Sequence, residues 1–223
     1  MKIFLIIIGA LALLGVAGMA VFVFVVQNVE TPSYTVVEQD GDFELRDYPA
    51  LVVAEVARTG ARGEALSAGF GPLARYIFAK ERAGGRIAMT APVEQQRADT
   101  LASGDRIAMT APVTQSRTDD AGGWAVRFIM PAEYDLDELP APGNADVVLK
   151  RVPSRRNAAV RFSGRANDEL IAEQEARLLA WMTSRGLEAA AAPVYAYYND
   201  PFTPGFLRRN EVIVPVQSEA PTQ

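Results

Sequence analysis

The longest apolar pattern of the chain lies at its start. Residues 3–26 contain no charged or strongly polar side chain. As a helix, these 24 residues would extend about 36 Å, which exceeds the roughly 30 Å hydrocarbon thickness of a bilayer. The pattern predicts an N-terminal transmembrane anchor within residues 1–28, followed by a short linker at residues 29–33.

A cleaved signal peptide is the alternative for this segment, because Gly18-Met19-Ala20 is a passable cleavage site. The apolar run continues to Val26 and is longer than the roughly 7 to 15 apolar residues of a signal peptide, which favours the uncleaved anchor. Lys2 precedes the run and Glu30 follows it. These charges predict that the following domain lies outside the cytoplasm, on the periplasmic side of the inner membrane.

In the rest of the chain, apolar residues recur at two different spacings. A period of two predicts strands at residues 34–39, 43–58, 124–130, 146–152, 158–163, 194–198 and 210–216. A period of three and four predicts a first helix over residues 62–82, with a kink near Gly71 or a division into two short helices. A second helix is predicted between the cap residue Asn167 and the terminating Gly186.

Two rounds of strands, each with one long helix, predict an α+β fold. We expect an antiparallel sheet that curls toward a barrel, with the helices packed on one side. The folded domain should span residues 34–217, and residues 218–223 should form a disordered tail. A domain of this length can bury about 70% of its unfolded surface, so it needs neither disulfides nor a metal ion to fold.

Eight residues, RIAMTAPV, occur twice, at residues 86–93 and 106–113. Both copies alternate between apolar and polar positions, as a half-buried strand does. The polar linker between them carries Ser103-Gly104-Asp105, which is typical of a turn. The repeat therefore predicts an antiparallel hairpin with Met89 and Met109 on its buried face, and each proline at a strand end, a bulge or an edge.

The amino-acid composition excludes several kinds of catalytic and ligand-binding site. The 223 residues carry a net charge of -5 and contain no cysteine and no histidine. An acidic chain without a basic stripe is a poor candidate for nucleic-acid binding. Thiol catalysis, a Ser-His-Asp triad and histidine ligation of haem are excluded by the missing residue types. Glu44, Asp47 and Glu55 fall on predicted strands, where we expect solvated carboxylates rather than a catalytic pair.

Several segments resemble one known family. IAMTAPV, together with YTVVEQDGDFELRDYPALVVAEV before it and WAVRFIMP, ELPAP and RRNEVIVPV after it, is similar to the SOUL haem-binding family. The resemblance extends over about residues 34–216 and keeps the family's order of motifs. It implies a distorted antiparallel barrel of two pseudo-symmetric halves flanked by two helices. It also implies binding of haem or a related tetrapyrrole in an apolar groove near the first helix.

The resemblance implies candidate binding residues on that first helix. The apolar candidates are Phe70, Leu73, Ala74 and Ile77, and the basic candidates for the haem propionates are Arg75 and Lys80. The same charges would also suit an ordinary solvent-facing side of a helix. Since no histidine is available, an iron ligand would have to come from Tyr76, Met89 or Met109, although both methionines also suit a core.

Other functions fit the same sequence. The predicted architecture also resembles bacterial effector-binding modules for small hydrophobic or cationic molecules. A hydrolase that uses Glu or Tyr is a further alternative, but the sequence shows no cluster of titratable residues that an active site requires. The remaining alternative function is that of a membrane-tethered interaction domain without a ligand. We expect a binding protein rather than an enzyme.

Overall fold

A computed structural model describes residues 29–97 and 123–217, together with the isolated positions Leu13 and Gly18. Apart from those two positions, the predicted anchor lies outside the described residues, as do the second RIAMTAPV copy with Met109 and the predicted tail. Among the helices that the structure describes, none is long and apolar enough to cross a membrane.

Nine strands and two α-helices make up the described part of the chain. The strands are β1 (Thr35–Asp40), β2 (Phe43–Tyr48), β3 (Leu51–Arg58), β4 (Val93–Arg97), β5 (Trp124–Ile129), β6 (Val148–Val152), β7 (Arg155–Phe162), β8 (Val194–Tyr197) and β9 (Asn210–Pro215). The helices are α1 (Arg62–Ile77) and α2 (Asp168–Ser184), and a short 3-10 turn covers Gly205–Leu207. The α+β prediction is confirmed.

All nine strands form one antiparallel sheet in the order β1-β2-β7-β9-β8-β4-β5-β3-β6. The sheet has two free edges, at β1 and β6, so the expected barrel is wrong: the sheet is open. The reason lies in the first strand. β1 occupies the outer side of β2, where β6 would have to pair to close a ring.

The strand order contains a twofold relation between two halves. The unit β2-β3-α1-β4-β5 and the unit β6-β7-α2-β8-β9 have the same element order. In this relation β2 corresponds to β6, β3 to β7, β4 to β8 and β5 to β9. The order of these eight strands in the sheet reads the same from either end under this correspondence, so the pseudo-twofold axis lies between β4 and β8. Each helix packs on strands of its own half, α1 on β3 and β5, and α2 on β7 and β9.

Helix α1 lies close to the sheet. Leu73 and Ile77 are buried against Val126 and Phe128, and a Cβ on Gly69 would come within 2.7 Å of Val126. The helix is continuous through Pro72, so the expected division near Gly71 does not occur. It ends at Ile77 instead of residue 82, and Ala79 adopts a left-handed conformation, with φ 52°.

Helix α2 begins and ends where the sequence predicts. The Asn167 side chain accepts a hydrogen bond from the amide of Leu170 at 3.0 Å, which satisfies one of the free amides of the first turn. Gly186 follows the helix with a positive φ of 66°, a conformation that glycine adopts without strain. Leu178 and Met182 are fully buried against the β7 and β9 side of the sheet.

The first RIAMTAPV copy is not a strand. Residues 86–92 form an extended loop that donates hydrogen bonds from Ile87 to Ile77 and from Ala91 to Glu30. Only Val93 belongs to the sheet, and it pairs with Phe128 on β5 and Tyr197 on β8. The predicted strand is therefore wrong for residues 86–92, and the expected pairing with the second copy lies outside the described residues. Met89 is 36% exposed, so its predicted place in the core is also wrong.

The face of the sheet opposite the helices carries buried charges. Arg46 on β2 and Glu211 on β9 form an ion pair of 2.7 Å, with side chains 1% and 0% exposed. Glu55, expected in solvent, is buried and binds Arg127 at 2.6 Å and also Lys150. Burial disfavours both carboxylates, but their cationic partners outweigh it and lower the pKa of Glu55 and of Glu211.

Glu94 on β4 behaves in the opposite way. Its carboxyl is buried, and burial raises its pKa, although the charges of Arg127 and Arg155 oppose the shift. The folded state therefore binds the Glu94 proton more tightly than the unfolded state, whose carboxyl titrates near about 4.3. The stability that Glu94 contributes is present below that pH and is lost as the pH rises through the raised folded pKa.

We predict that Glu94→Gln is more stable than the wild type at pH 7, because the neutral amide removes the cost of a buried charge. The advantage should shrink as the pH falls toward about 4. Glu211→Gln is the matched control: a carboxylate with a lowered pKa stabilises the fold above its unfolded pKa, so this variant should lose about 3 to 5 kcal/mol at pH 7. Urea unfolding at several pH values measures both, and a Glu94→Gln variant less stable than wild type at pH 7 would contradict the prediction.

Candidate functional site

An apolar groove of about 490 Å³ lies beside the first half of α1. Leu66 and Phe70, one helical turn apart, form its helical wall. The loop before β4 supplies Met89, Val93 begins the strand itself, and the end of β8 with the following loop supplies Tyr197 and Pro201. The volume lies in the range of about 300 to 1,000 Å³ that is usual for small-molecule sites.

Packing and hydrogen bonds hold these walls in place. The Phe70 ring meets Phe128 of the sheet edge to face, with 5.2 Å between ring centres. Thr90 is buried and donates a hydrogen bond from its hydroxyl to the carbonyl of Ile129. The Phe70 wall and the loop before β4 are therefore both fixed to β5.

The tyrosine wall of the groove is tied to both helices. The hydroxyl of Tyr197 accepts a hydrogen bond from Arg62, and the same guanidinium forms an ion pair of 2.6 Å with Asp168 at the start of α2. Burial raises the pKa of Tyr197, and the neighbouring Arg62 only partly opposes this. Tyr197 is therefore a neutral phenol at physiological pH.

Asp200 is the acidic side chain among the residues that line the groove. Its carboxylate accepts hydrogen bonds from the amides of Phe202 and Thr203, at 2.7 and 3.1 Å, and from the Thr203 hydroxyl at 2.7 Å. Burial opposes the charge, but these bonds prevail and lower the pKa of Asp200. The Asp200 carboxylate thus stabilises the turn that follows it.

Of the apolar candidates from the sequence, the structure places Phe70 in the wall of the groove. Leu73 and Ile77 are 0% and 1% exposed and belong to the core beneath the helix. Ala74 is half-buried and packs against the same core. Within the described residues, these three do not line the groove, because they lie on the part of the helix that faces the sheet.

The basic candidates lie further along the helix. Arg75 forms an ion pair of 2.5 Å with Glu81, and Lys80 is exposed beyond the end of α1. Neither belongs to the groove wall that the described residues form. That wall contains no arginine or lysine, so this chain does not place a basic side chain against the groove from the predicted positions.

The candidate iron ligands are separated by the fold. Tyr76 is buried and donates a hydrogen bond to the carbonyl of Pro140 at 2.9 Å. Met89 lies in the groove wall and is partly exposed. Met109 lies outside the described residues. Met89 is thus the one of the two described candidates whose side chain a groove ligand could reach.

Sequence reasoning did not select Leu66, Val93, Tyr197 or Pro201 as site residues. The spacing of Leu66 and Phe70 was a usable signal, since residues four apart share one face of a helix. The other residues come from distant segments, which meet α1 only because β4 pairs with β8. No local pattern in the sequence carries that information.

A second cleft, of about 480 Å³, lies near the starts of the two helices. It is more polar than the groove. Trp124 and Tyr195 supply aromatic surface, and Arg97 lies over the Trp124 ring at 5.2 Å. The Tyr195 hydroxyl donates a hydrogen bond of 2.8 Å to Glu175 of α2.

The fold and groove together define an open antiparallel α+β domain with a preformed apolar site of small-molecule size. The family model for the SOUL heme-binding protein matches residues 29–215. The chain therefore belongs to the SOUL family, a family of binding proteins. No curated protein matches the chain.

Solved structures share the fold at low sequence identity. The C-terminal domain of EcmrR is 12% identical, with a TM-score of 0.57 over 83% of this chain and 98% of that domain. An uncharacterised conserved protein from Listeria innocua is 14% identical, with a TM-score of 0.53 over 79% and 92% of the two chains. A hydrolase from Listeria innocua is 14% identical, with a TM-score of 0.51 over 81% and 94%. Identities this low support the fold alone.

Proposed function

We propose that this chain binds haem or a related tetrapyrrole in the groove beside α1. The observation that carries the proposal is the apolar wall, in which Leu66, Phe70, Met89 and Val93 face one cavity of about 490 Å³, in a member of the SOUL family. The flat faces of a macrocycle are apolar, and their burial contributes about 25 cal/mol per Å². Burial of this surface is therefore the main source of affinity.

The propionates are the polar part of such a ligand. No basic side chain lines the described groove wall, so Arg75 and Lys80 could reach propionates only from outside it. An ion pair in that position is exposed to solvent and contributes about 1 kcal/mol or less. Propionates would therefore add little to the affinity.

The iron would have weak ligation. The chain has no histidine or cysteine, and of Tyr76 and Met89, Met89 is the one in the described groove wall. The Met89 thioether would hold a bound haem iron only weakly, and apolar contact would retain the ligand. A metal-free porphyrin should consequently bind about as well as haem.

We further propose that residues 3–26 anchor the domain in a membrane, with the domain on the periplasmic side. The length of the apolar run supports an uncleaved anchor over a signal peptide. Tetrapyrrole binding would then take place close to the bilayer.

A second candidate function is binding of a small effector in the cleft near the helix starts. The carboxylates of Asp168 and Glu175 in this cleft suit an organic cation, which would have to displace Arg97 from the Trp124 ring. If the protein is saturated with such a cation and its affinity for haemin does not change, the two ligands bind at separate sites. Tight cation binding without any haemin binding would favour the effector function.

We predict that Phe70→Ala weakens haemin binding about tenfold or more, because the variant loses about 1.5 kcal/mol or more of apolar contact. Phe78→Ala is the matched control, since both phenylalanines are 39% exposed on or next to α1 but Phe78 is absent from the described groove wall. Absorbance titration of the full-length protein in detergent, corrected for empty micelles, gives both constants. Equal losses in the two variants would contradict the assignment of the groove.

The weak ligation predicts that haemin and protoporphyrin IX bind within about tenfold of each other, a difference of about 1.4 kcal/mol. Met89→Ala should change the Soret spectrum of the haemin complex while it alters the free energy of unfolding by less than about 0.5 kcal/mol, because Met89 is partly exposed. Haemin binding more than about 100-fold tighter than the metal-free ring, a gap of about 2.7 kcal/mol, would show that iron coordination carries the site.

The uncleaved anchor predicts that protein extracted from membranes has the mass of a chain that retains residues 3–26. Intact mass spectrometry measures this directly. A mature form that begins at Val21, after Gly18-Met19-Ala20, would show that the segment is a cleaved signal peptide.

A further inference from the structure

An exposed apolar surface lies next to the mouth of the groove. We call residues 201–207, which follow Asp200, the aromatic loop. Phe202 is 85% exposed, Phe206 78% and Leu207 43%. These phenylalanines are the most exposed large apolar side chains of the described domain, residues 29–97 and 123–217.

The aromatic loop is held in this shape by polar contacts. Asp200 fixes its start through the amide of Phe202 and the buried Thr203. The Arg208 guanidinium donates hydrogen bonds to the carbonyls of Thr203, at 2.7 Å, and Pro201. The carbonyl of Gly205 accepts a hydrogen bond of 2.9 Å from the amide of Gly164. The phenylalanines are therefore presented outward by a braced turn.

The aromatic loop lies on the side where the chain enters the domain. Pro201 and Val29 line the same groove. The next residue, Glu30, is fixed by hydrogen bonds of 2.9 Å from the amides of Ala91 and Ala132. The apolar run ends at Val26, and three residues span at most about 11 Å. An inserted anchor thus keeps Val29, which lines the groove, within about that distance of the end of the apolar run.

A basic side chain accompanies the two aromatic rings. Arg165 is exposed, and its side chain lies against Gly205, within 3.6 Å of the position of a Cβ there. Aromatic side chains with neighbouring arginine are typical of the boundary between lipid headgroups and acyl chains, and anionic headgroups attract the arginine.

We propose that the aromatic loop inserts Phe202 and Phe206 into the surface of the bilayer that residues 3–26 span, so that the groove mouth faces lipid. The occupant of this apolar surface is the headgroup and upper acyl region of the membrane, not a second copy of the chain. The inference rests on the proposed anchor but is independent of tetrapyrrole binding.

The test places a fluorescent reporter in the aromatic loop of the full-length chain. Phe202→Trp is reconstituted into vesicles of phosphatidylcholine and phosphatidylglycerol, with or without bromine on the acyl chains. The control is Leu179→Trp, a 39% exposed site eleven residues into α2, about 16 Å along the helix from its start. The native Trp124 and Trp181 are buried, and the wild-type signal is subtracted.

We expect blue-shifted emission from Phe202→Trp and quenching by brominated lipid at least about twofold stronger than for Leu179→Trp. Equal quenching at the two sites in vesicles that float with the protein would overturn the loop insertion while leaving the anchor in place. A blue shift without quenching would mean burial against a second copy and would also overturn it. A chain that does not float with the vesicles would refute both the anchor and the insertion. Haemin titration of Phe202→Trp separately tests tetrapyrrole binding, so failure of one proposal does not imply failure of the other.

Discussion

The buried carboxylate of Glu211 holds together the half of the sheet that carries one wall of the groove. Its partner Arg46 lies on β2, so the ion pair crosses over β7, which separates the two strands. Arg209 and the Tyr198 hydroxyl bind the same carboxylate, each at 2.8 Å. Two buried charges are tolerated because each satisfies the other and additional donors complete the shell. Tyr198 and the following Asn199 line the groove, so this charge network positions the groove wall.

The sheet thereby separates two environments. Its helix-facing side holds the apolar core, and its opposite side holds the charged network around Glu211 and Glu55. The groove opens at the end of β8, where the apolar side of the sheet meets the loop fixed by Asp200. A rigid wall lowers the entropic cost of ligand binding, which suits the proposed binding through apolar contact.

The sequence predicted those parts of the fold that depend on neighbouring residues. Asn167 and Gly186 marked the ends of α2 because capping is a local interaction. Phe70 lies in the groove wall, whereas Leu73 and Ile77 lie in the core. The apolar stripe of a helix does not show which of its residues pack against the sheet and which line a groove. The RIAMTAPV loop resembled a strand because its alternation is the same whether the extended backbone pairs with a sheet or with Glu30. The burial of Glu55 could not be inferred without Arg127, which is brought beside it by β5.

The apolar wall and the aromatic loop place a common constraint on the ligand. A groove whose described wall lacks basic side chains selects by apolar area and shape, and such selection favours molecules that partition into membranes. Those molecules are scarce in bulk water and concentrated in the bilayer, so a site near the end of an anchor meets them at a higher local concentration than a site free in solution. Val29 and Pro201 line the groove next to the proposed anchor and the aromatic loop, so that supply would enter from their side. The proposed weak iron ligation and the proposed position of the groove at the membrane are therefore consistent with each other: retention by apolar contact would permit exchange with the lipid phase, whereas a strong iron ligand would oppose release.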